Sequence, residues 1–294
     1  ISDNLLSVET SDGEAGIRFI HTQGTEDNRS IVDHNTILSS SSYADEWFVS
    51  LGGYTDFTNN SIDLDVNYAW SGCNTINIFG ENNTISDNNI NAQDIPVVYF
   101  ENATNQVFTN NEIHSIGGYS AIRTSNSDVL ISHNLIESEG RGIEMYSQSG
   151  GEVFNNTIIS PNSASYGIHI SNLTMPVVQN NIVQGFTNGI YAENDLKNHF
   201  IQNNNLWNIS GDLFSGTAMP QLIGEMIDMN NNADTCDIYS NLNMDPLFVN
   251  PDSSDYNLQA NSPCINAGHQ GSELDPDGTI ADMGALFSFY YGCI

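Results

Sequence analysis

The chain is short of positive charge. Lys plus Arg total 5 against 36 Asp plus Glu, a formal net charge of −31 over 294 residues. The five cations are Arg18, Arg29, Arg123, Arg141 and Lys197. A surface this acidic repels phosphate backbones, so nucleic acid is not an expected partner. Divalent cations or a salty medium would relieve the self-repulsion. Long apolar runs are also missing. None approaches the roughly 20 residues that span a bilayer, so membrane insertion is not expected. The four cysteines, Cys73, Cys236, Cys264 and Cys293, contain no CxxC pair, which argues against zinc. A disulfide between Cys236 and Cys264, close together in an irregular region, is the first expectation. Cys293 would find its partner past Ile294. No signal peptide opens the chain, which predicts a mature or trimmed polypeptide.

What is there is a repeat. The mark is Asn, any residue, then Ile or Leu. It falls at Asn4, Asn35, Asn60, Asn88, Asn111, Asn134, Asn156, Asn180 and Asn204, with spacings of 31, 25, 28, 23, 23, 22, 24 and 24. The preceding residue is often another Asn or a His, as at His34, Asn59, Asn110, His133, Asn155 and Asn203. Helix-favouring charge patterns are almost absent, so each unit reads as two or three short strands joined by turns. Asn accepts the left-handed backbone that a tight turn needs. Stacked Asn amides can hydrogen-bond from coil to coil. A leucine-rich repeat has a similar period but demands several leucines per unit, which are missing.

A second stripe runs in step. It reads Gly16-Ile17-Arg18-Phe19, Ile76-Asn77-Ile78-Phe79, Val98-Tyr99-Phe100, Ala121-Ile122-Arg123, Gly142-Ile143-Glu144-Met145, Gly167-Ile168-His169-Ile170 and Gly189-Ile190-Tyr191-Ala192. Trp47-Phe48-Val49-Ser50-Leu51 supplies the strand of the second coil, and Asp63 to Asn74, with Trp70 and Cys73, reads as an insertion. The first four residues, Ile1 to Asn4, read as the middle of a coil. The period is lost after Leu206. The expectation is therefore an all-β chain: a right-handed parallel β-helix of about nine coils over residues 1–210. Residues 211–294 would form an irregular cap over the last coil, since an open solenoid end needs covering.

The repeat resembles the parallel β-helix repeat of pectate lyases, other polysaccharide lyases, epimerases and many surface proteins. The tail is more specific. Asp245-Pro246-Leu247-Phe248-Val249, Ser262-Pro263-Cys264-Ile265-Asn266-Ala267-Gly268 and Ala281-Asp282-Met283-Gly284-Ala285 resemble the C-terminal segment of large secreted β-helix proteins of environmental bacteria. Tyr291-Gly292-Cys293-Ile294 is similar to the start of a further module. The resemblance implies an extracellular or cell-surface protein with flanking domains on the same polypeptide. It implies no reaction. The paired aspartates, Gly-His-Gly and Arg-x-Lys of pectin hydrolases are absent, and so is the Asp-Pro-His of epimerases. Lysine-dependent lyase chemistry has one candidate, Lys197.

Alternation along the second stripe points every second residue outward. One outward column runs Asn77, Tyr99, Arg123, Glu144, His169, Tyr191. A parallel column runs Phe79, Glu101, Ser125, Tyr146, Ser171, Glu193. Arg123, Glu144 and His169 are the candidate catalytic residues, and Tyr99, Glu101, Tyr146 and Tyr191 the candidate substrate contacts. Aromatic rings can stack on sugars, and a guanidinium can hold a carboxylate or sulfate. An Arg beside a His or Tyr base would suit β-elimination on a uronate. Glu101 and Glu144, two coils apart at about 9–10 Å, are spaced for an inverting glycosidase pair. The two walls such a site could use are the Asp63–Asn74 insertion and the loop at Asp94-Ile95-Pro96. Asp275, Asp277 and Asp282 offer oxygen ligands that could hold Ca²⁺, although a tight Asp-Gly turn explains the same residues. Three readings follow: contact with extracellular polysaccharide through this sheet, a structural stalk or adhesin segment, or a lyase or hydrolase of acidic glycans. Fold alone does not choose among them.

Overall fold

The computed structural model describes residues 1–10, 19–41, 47–66, 73–171, 175–193, 200–217 and 219–288. Among them the chain winds into three parallel sheets of nine, nine and eight strands. The first runs from Leu5–Thr10 to Asn205–Trp207, the second from Ile20–Thr22 to Phe214–Ser215, and the third from Ser30–Asp33 to Phe200–Gln202. The coil count falls slightly below the nine expected, because the third sheet completes only eight turns. No described helix is long and apolar enough to cross a membrane.

Period-2 alternation builds the core. The first sheet buries Ile37, Ile62, Ile90, Ile113, Ile136, Ile158, Val183 and Leu206. The second buries Val49, Ile76, Val98, Ile122, Ile143, Ile168 and Ile190, and the third Phe57, Ile85, Phe108, Ile131, Val153 and Val178. Like residues stack on like from coil to coil, so each strand meets the same environment and the winding propagates.

The asparagines form a ladder at the corner between the third and first sheets. Asn134 Oδ1 accepts the backbone N–H of Asn111 at 2.9 Å and its side-chain Nδ2 at 3.0 Å. Asn134 Nδ2 donates in turn to Phe108 O and to Asn156 Oδ1, each at 3.0 Å. One rung was misplaced by the repeat mark. Asn181, not Asn180, joins Asn156 to Asn204, and its inward partner is Val183 rather than Ile182. Asn-Asn-Ile-Val satisfies the mark in two frames, and only burial chooses. The left-handed turn falls on the residue before each rung: φ is 54° at His34, 59° at Asp87, 55° at His133 and 57° at Asn180.

Other expectations shift. In the first coil the second-sheet strand is Ile20–Thr22; Gly16 to Arg18 lie outside the described residues, as do Trp70, Lys197 and Cys293. Asp63 to Val66 belong to the first-sheet strand Ser61–Val66 and not to an insertion. The solenoid also runs past residue 210, because Phe214 and Ser215 still pair with Ile190 and Tyr191. Cys236 and Cys264 are not bonded to each other; both are free, buried thiols. Cys264 Sγ instead accepts Asn205 Nδ2 at 3.1 Å.

The cap reaches further than the last coil. It tops the ladder: Asn204 N–H donates to Asn241 Oδ1 at 3.0 Å, and Asn241 N–H donates to Asp237 Oδ1 at 2.9 Å. A carboxylate only accepts, so it ends a chain of amides. The cap covers the end of the solenoid, where Met219 and Ile223 pack against its core, and then folds back along the side. Ile159 and Ile182, which point out of the first sheet, pack with Phe248, Tyr256, Cys264 and Met283. The left-handed corner asparagines hold the same segment: Asn155 Nδ2 donates to Asp282 O at 2.8 Å, and Asn203 Nδ2 to Ala267 O at 3.1 Å. The physical reason lies in the strands. Outward positions of the first sheet are polar at Ser61, Asp63, Asn89 and Asn91, and turn apolar at Leu135, Ile159 and Ile182. A sheet face that is apolar must be covered.

Candidate functional site

The strands that carry the site enter through glycines. A Cβ on Gly142 would stand 2.4 Å from Ile158 Cγ2, one on Gly167 2.2 Å from Val183 Cγ1, and one on Gly189 2.4 Å from Leu206 Cδ2. The inward aliphatic column of the first sheet fills the space a side chain would take. This close approach fixes where the second sheet begins, and so the register of the residues that follow.

That register places the expected column. Tyr99 pairs with Asn77 and Arg123, Arg123 with Glu144, Glu144 with His169, and His169 with Tyr191. In the second column Glu101 pairs with Ser125, and Ser125 with Tyr146. Tyr99, Arg123, Glu144, His169, Tyr146 and Tyr191 thus form one patch on the outer face of the second sheet. Glu101 flanks it.

Glu144 is the centre. Its residue is only 9% exposed. Arg123 Nε stands 3.0 Å from Oε2, Arg141 Nη1 pairs with Oε1, and His169 Nδ1 lies 3.6 Å from Oε1. Ser120 Oγ donates to Oε2 at 2.9 Å. Burial alone would raise this carboxyl, but the imidazole of His169, the Arg141 and Arg123 guanidiniums and the Ser120 hydroxyl together hold it at about 2. The His169 and Arg123 contacts are close but poorly aligned for hydrogen bonding: His169 Nδ1 and Arg123 Nε both lack a partner of good geometry. They act as charge and dipole rather than as directed bonds.

Aromatic groups lie on either side. Tyr99 and Tyr146 stack at 6.4 Å with their rings 9° apart, and Tyr146 OH donates to Tyr99 OH at 2.9 Å. The Arg123 guanidinium lies 5.5 and 5.2 Å from the two ring centroids, within cation–π reach. Burial and the hydrogen bond from Tyr146 push the Tyr99 phenol up to about 12. On the other side Tyr166 stacks on His169 and Tyr191 tilts against both, with centroids 5.0 to 5.1 Å apart, and Arg141 lies over the Tyr166 ring at 5.7 Å. Many ring faces are therefore occupied by one another, which leaves hydroxyls and N–H groups as the outward chemistry.

Sequence reasoning missed three members. Arg141 and Ser120 lie in the turns before their strands, and Tyr166 begins a strand two places before the inward Ile168. The signal was present: Arg141 is one of only five cations. What hid it was the assumption that only alternating strand positions face the site. Of the two expected walls, residues 67–72 of the first lie outside the described residues, and the second does not form as read. Ile95 and Val97 are buried, and the Pro96 and Val97 carbonyls accept from Thr75 and Ile76, so this segment is part of the coil.

The three aspartates considered for Ca²⁺ lie elsewhere, in the cap. Asp282 N–H donates to Asp275 Oδ2 at 2.9 Å, while the Asp282 carboxylate accepts the Asn266 and Ser288 N–H groups. Burial and the neighbouring Asp282 push Asp275 up to about 7. Asp277 Oδ1 accepts from Thr279 N and Oγ1, the tight turn that was the alternative explanation. Asp275 opens onto a cleft of about 610 Å³ between cap and third sheet, lined also by His133, Glu152, Phe154 and His269. Among the described residues no three His, Cys, Asp or Glu side chains group as a metal site.

A family model described as right handed beta helix region matches residues 74–242, more than half of the chain. Among solved structures, the crystal structure of pectate lyase Pel9A is similar at 10% identity and a TM-score of 0.34, covering 98% of this chain and 97% of that one. No curated protein matches the chain.

Proposed function

The chain belongs to the right-handed β-helix family, and from that premise we propose that it contacts an extracellular polysaccharide through the outer face of its second sheet. One observation carries the reading. Two of the three described cations, Arg123 and Arg141, converge on one buried carboxylate, with Tyr99, Tyr146, Tyr166 and Tyr191 around them. A plain solvated face gains little by collecting its scarce cations, since isolated surface ion pairs are worth about 0–1 kcal/mol. A row of phenols and guanidiniums, by contrast, offers hydrogen-bond donors and rigid edges along a polymer.

Contact is favoured over cleavage. A general acid or base works best with its pKa near the operating pH. Glu144 is held at about 2 and Tyr99 is pushed up to about 12. Glu144 is therefore a poor proton donor for the glycosidase pairing with Glu101. Secretion and the flanking domains remain part of the same proposal.

The test is a polysaccharide panel, scored for retention and for new unsaturated ends. Retention without new ends is expected, with Arg123→Ala and Tyr99→Ala each weakening it at least tenfold. Binding that survives both substitutions would place the contact on another face. New unsaturated ends would turn the reading into a lyase.

A further inference from the structure

We propose, resting on the polysaccharide reading above, that Glu144 is a built-in counter-ion that makes this face select uncharged glycans over acidic ones. A site for a uronate or sulfate leaves a guanidinium fork open, because the planar fork matches an anion bidentately. Here each guanidinium already faces protein oxygens. Arg123 Nε faces Glu144 Oε2, and its Nη2 reaches Tyr146 OH at 3.4 Å. Arg141 spends Nη1 on Glu144 Oε1. The place between the two arginines where a ligand carboxylate would sit is already filled by a protein carboxylate.

Displacing it is costly. Glu144 is 9% exposed, is fixed also by Ser120, and lies on a strand rather than a loop. A ligand anion would have to replace a pre-positioned, intramolecular one. The surroundings reinforce the exclusion. Glu101 and Glu193 lie on the same face, and Glu193 Oε1 accepts from Tyr191 OH at 3.2 Å. Among its described residues the face sets two guanidiniums against three carboxylates, on a chain of net charge −31. An acidic polymer meets repulsion on approach and, on arrival, cations already paired with a carboxylate. A neutral polyol meets neither obstacle, and the remaining guanidinium N–H groups can donate to its hydroxyls. Filling the anion position from within is a repulsive device that sets specificity without improving the favoured contact.

The experiment uses the whole chain and paired polymers that share a backbone class and differ in charged substituents. Methyl-esterified homogalacturonan is compared with the saponified polymer, hydroxyethyl with carboxymethyl cellulose, and agarose with a sulfated galactan. The wild type is expected to bind at least one neutral member at least tenfold more tightly than its charged counterpart. Raising NaCl from 50 to 500 mM should change that affinity less than twofold. Glu144→Gln should gain about tenfold for the charged counterpart, the effect of one freed charge pair, and this gain should disappear in high salt. Should that variant not fold, the salt series and paired affinities of the wild type still decide. Equal or stronger binding of the acidic member by the wild type overturns the counter-ion role while leaving the polysaccharide reading in place. Retention of no polymer overturns both.

Discussion

Tyr256 donates its phenolic hydrogen to Glu137 Oε2 at 3.1 Å, across 119 positions of sequence. The bond ties the cap to the flank of a coil well inside the solenoid. Tyr256 is 5% exposed and meets Phe248 edge-on at 5.2 Å, so the ring anchors the packing and the hydroxyl sets its register. Tyr256→Phe keeps the ring and leaves Glu137 with one donor fewer. It should cost about 1–2 kcal/mol in chemical denaturation, and Tyr256→Ala about 3–5 kcal/mol.

The Asn ladder should be steeply position-dependent. Asn134 is fully buried and bonded on both sides. Asn134→Ala strands the Asn111 N–H, removes one of the two donors to Asn156 Oδ1 and the side-chain donor to Phe108 O, and opens a buried gap; a buried orphan alone costs about 1–3 kcal/mol. Denaturation should show a loss of at least about 3 kcal/mol. Asn4, the exposed first rung, should lose under about 1 kcal/mol on the same change. Equal losses at the two sites would mean that the ladder is not a chain of coupled amides.

Glycine at the entrance of the site strands is a packing requirement. Gly167→Ala would drive its Cβ against Val183 and the Gly189 carbonyl, and should destabilise by about 1–3 kcal/mol. Gly118→Ala, where nothing lies within 4 Å, is the control. It should be neutral or slightly stabilising, because the unfolded chain loses freedom. A thermal melt of both variants decides.

Two carboxyls should bend the pH profile in opposite directions. Glu144 is held at about 2 against an ordinary 4.5. Its contribution is complete above pH 4.5 and is lost as pH falls towards 2. Asp275 is pushed from 3.8 up to about 7, first by burial and then by Asp282. The unfolded chain ionises this group first, so stability falls as pH rises from 3.8 and levels off above 7. Melting temperatures of wild type minus Glu144→Gln should therefore shrink on the acid side. Asp275→Asn should remove part of the decline between pH 4 and 7. A difference curve that is flat for Asp275→Asn would show that burial and Asp282 do not raise this carboxyl.

Much of the solenoid is legible because its physics is local and repeated. A strand alternates with period 2, a corner needs one left-handed residue, and every coil presents the same demand to the next. The outward column from Tyr99 to Tyr191 followed from that arithmetic, and the structure keeps its register. Arg141 and Ser120 were hidden because the turn before the second sheet, unlike the Asn corner, repeats no residue pattern; their place depends on how that loop returns over its neighbour. Asn180 and Asn181 were confused because both satisfy the repeat mark, and only stacking against Asn156 and Asn204 separates them.

The sequence by itself determined the winding, the ladder and the column of outward side chains, since each depends on neighbours one strand or one coil away. Only the tertiary structure decided that the cap also clamps the flank. Its partners, Glu137 for Tyr256 and Asn155 for the Asp282 carbonyl, lie more than a hundred residues off and share no period with it. The same holds for Glu144. Composition showed that cations are scarce, but not that two of them, from different turns of the chain, would be spent on a single carboxylate.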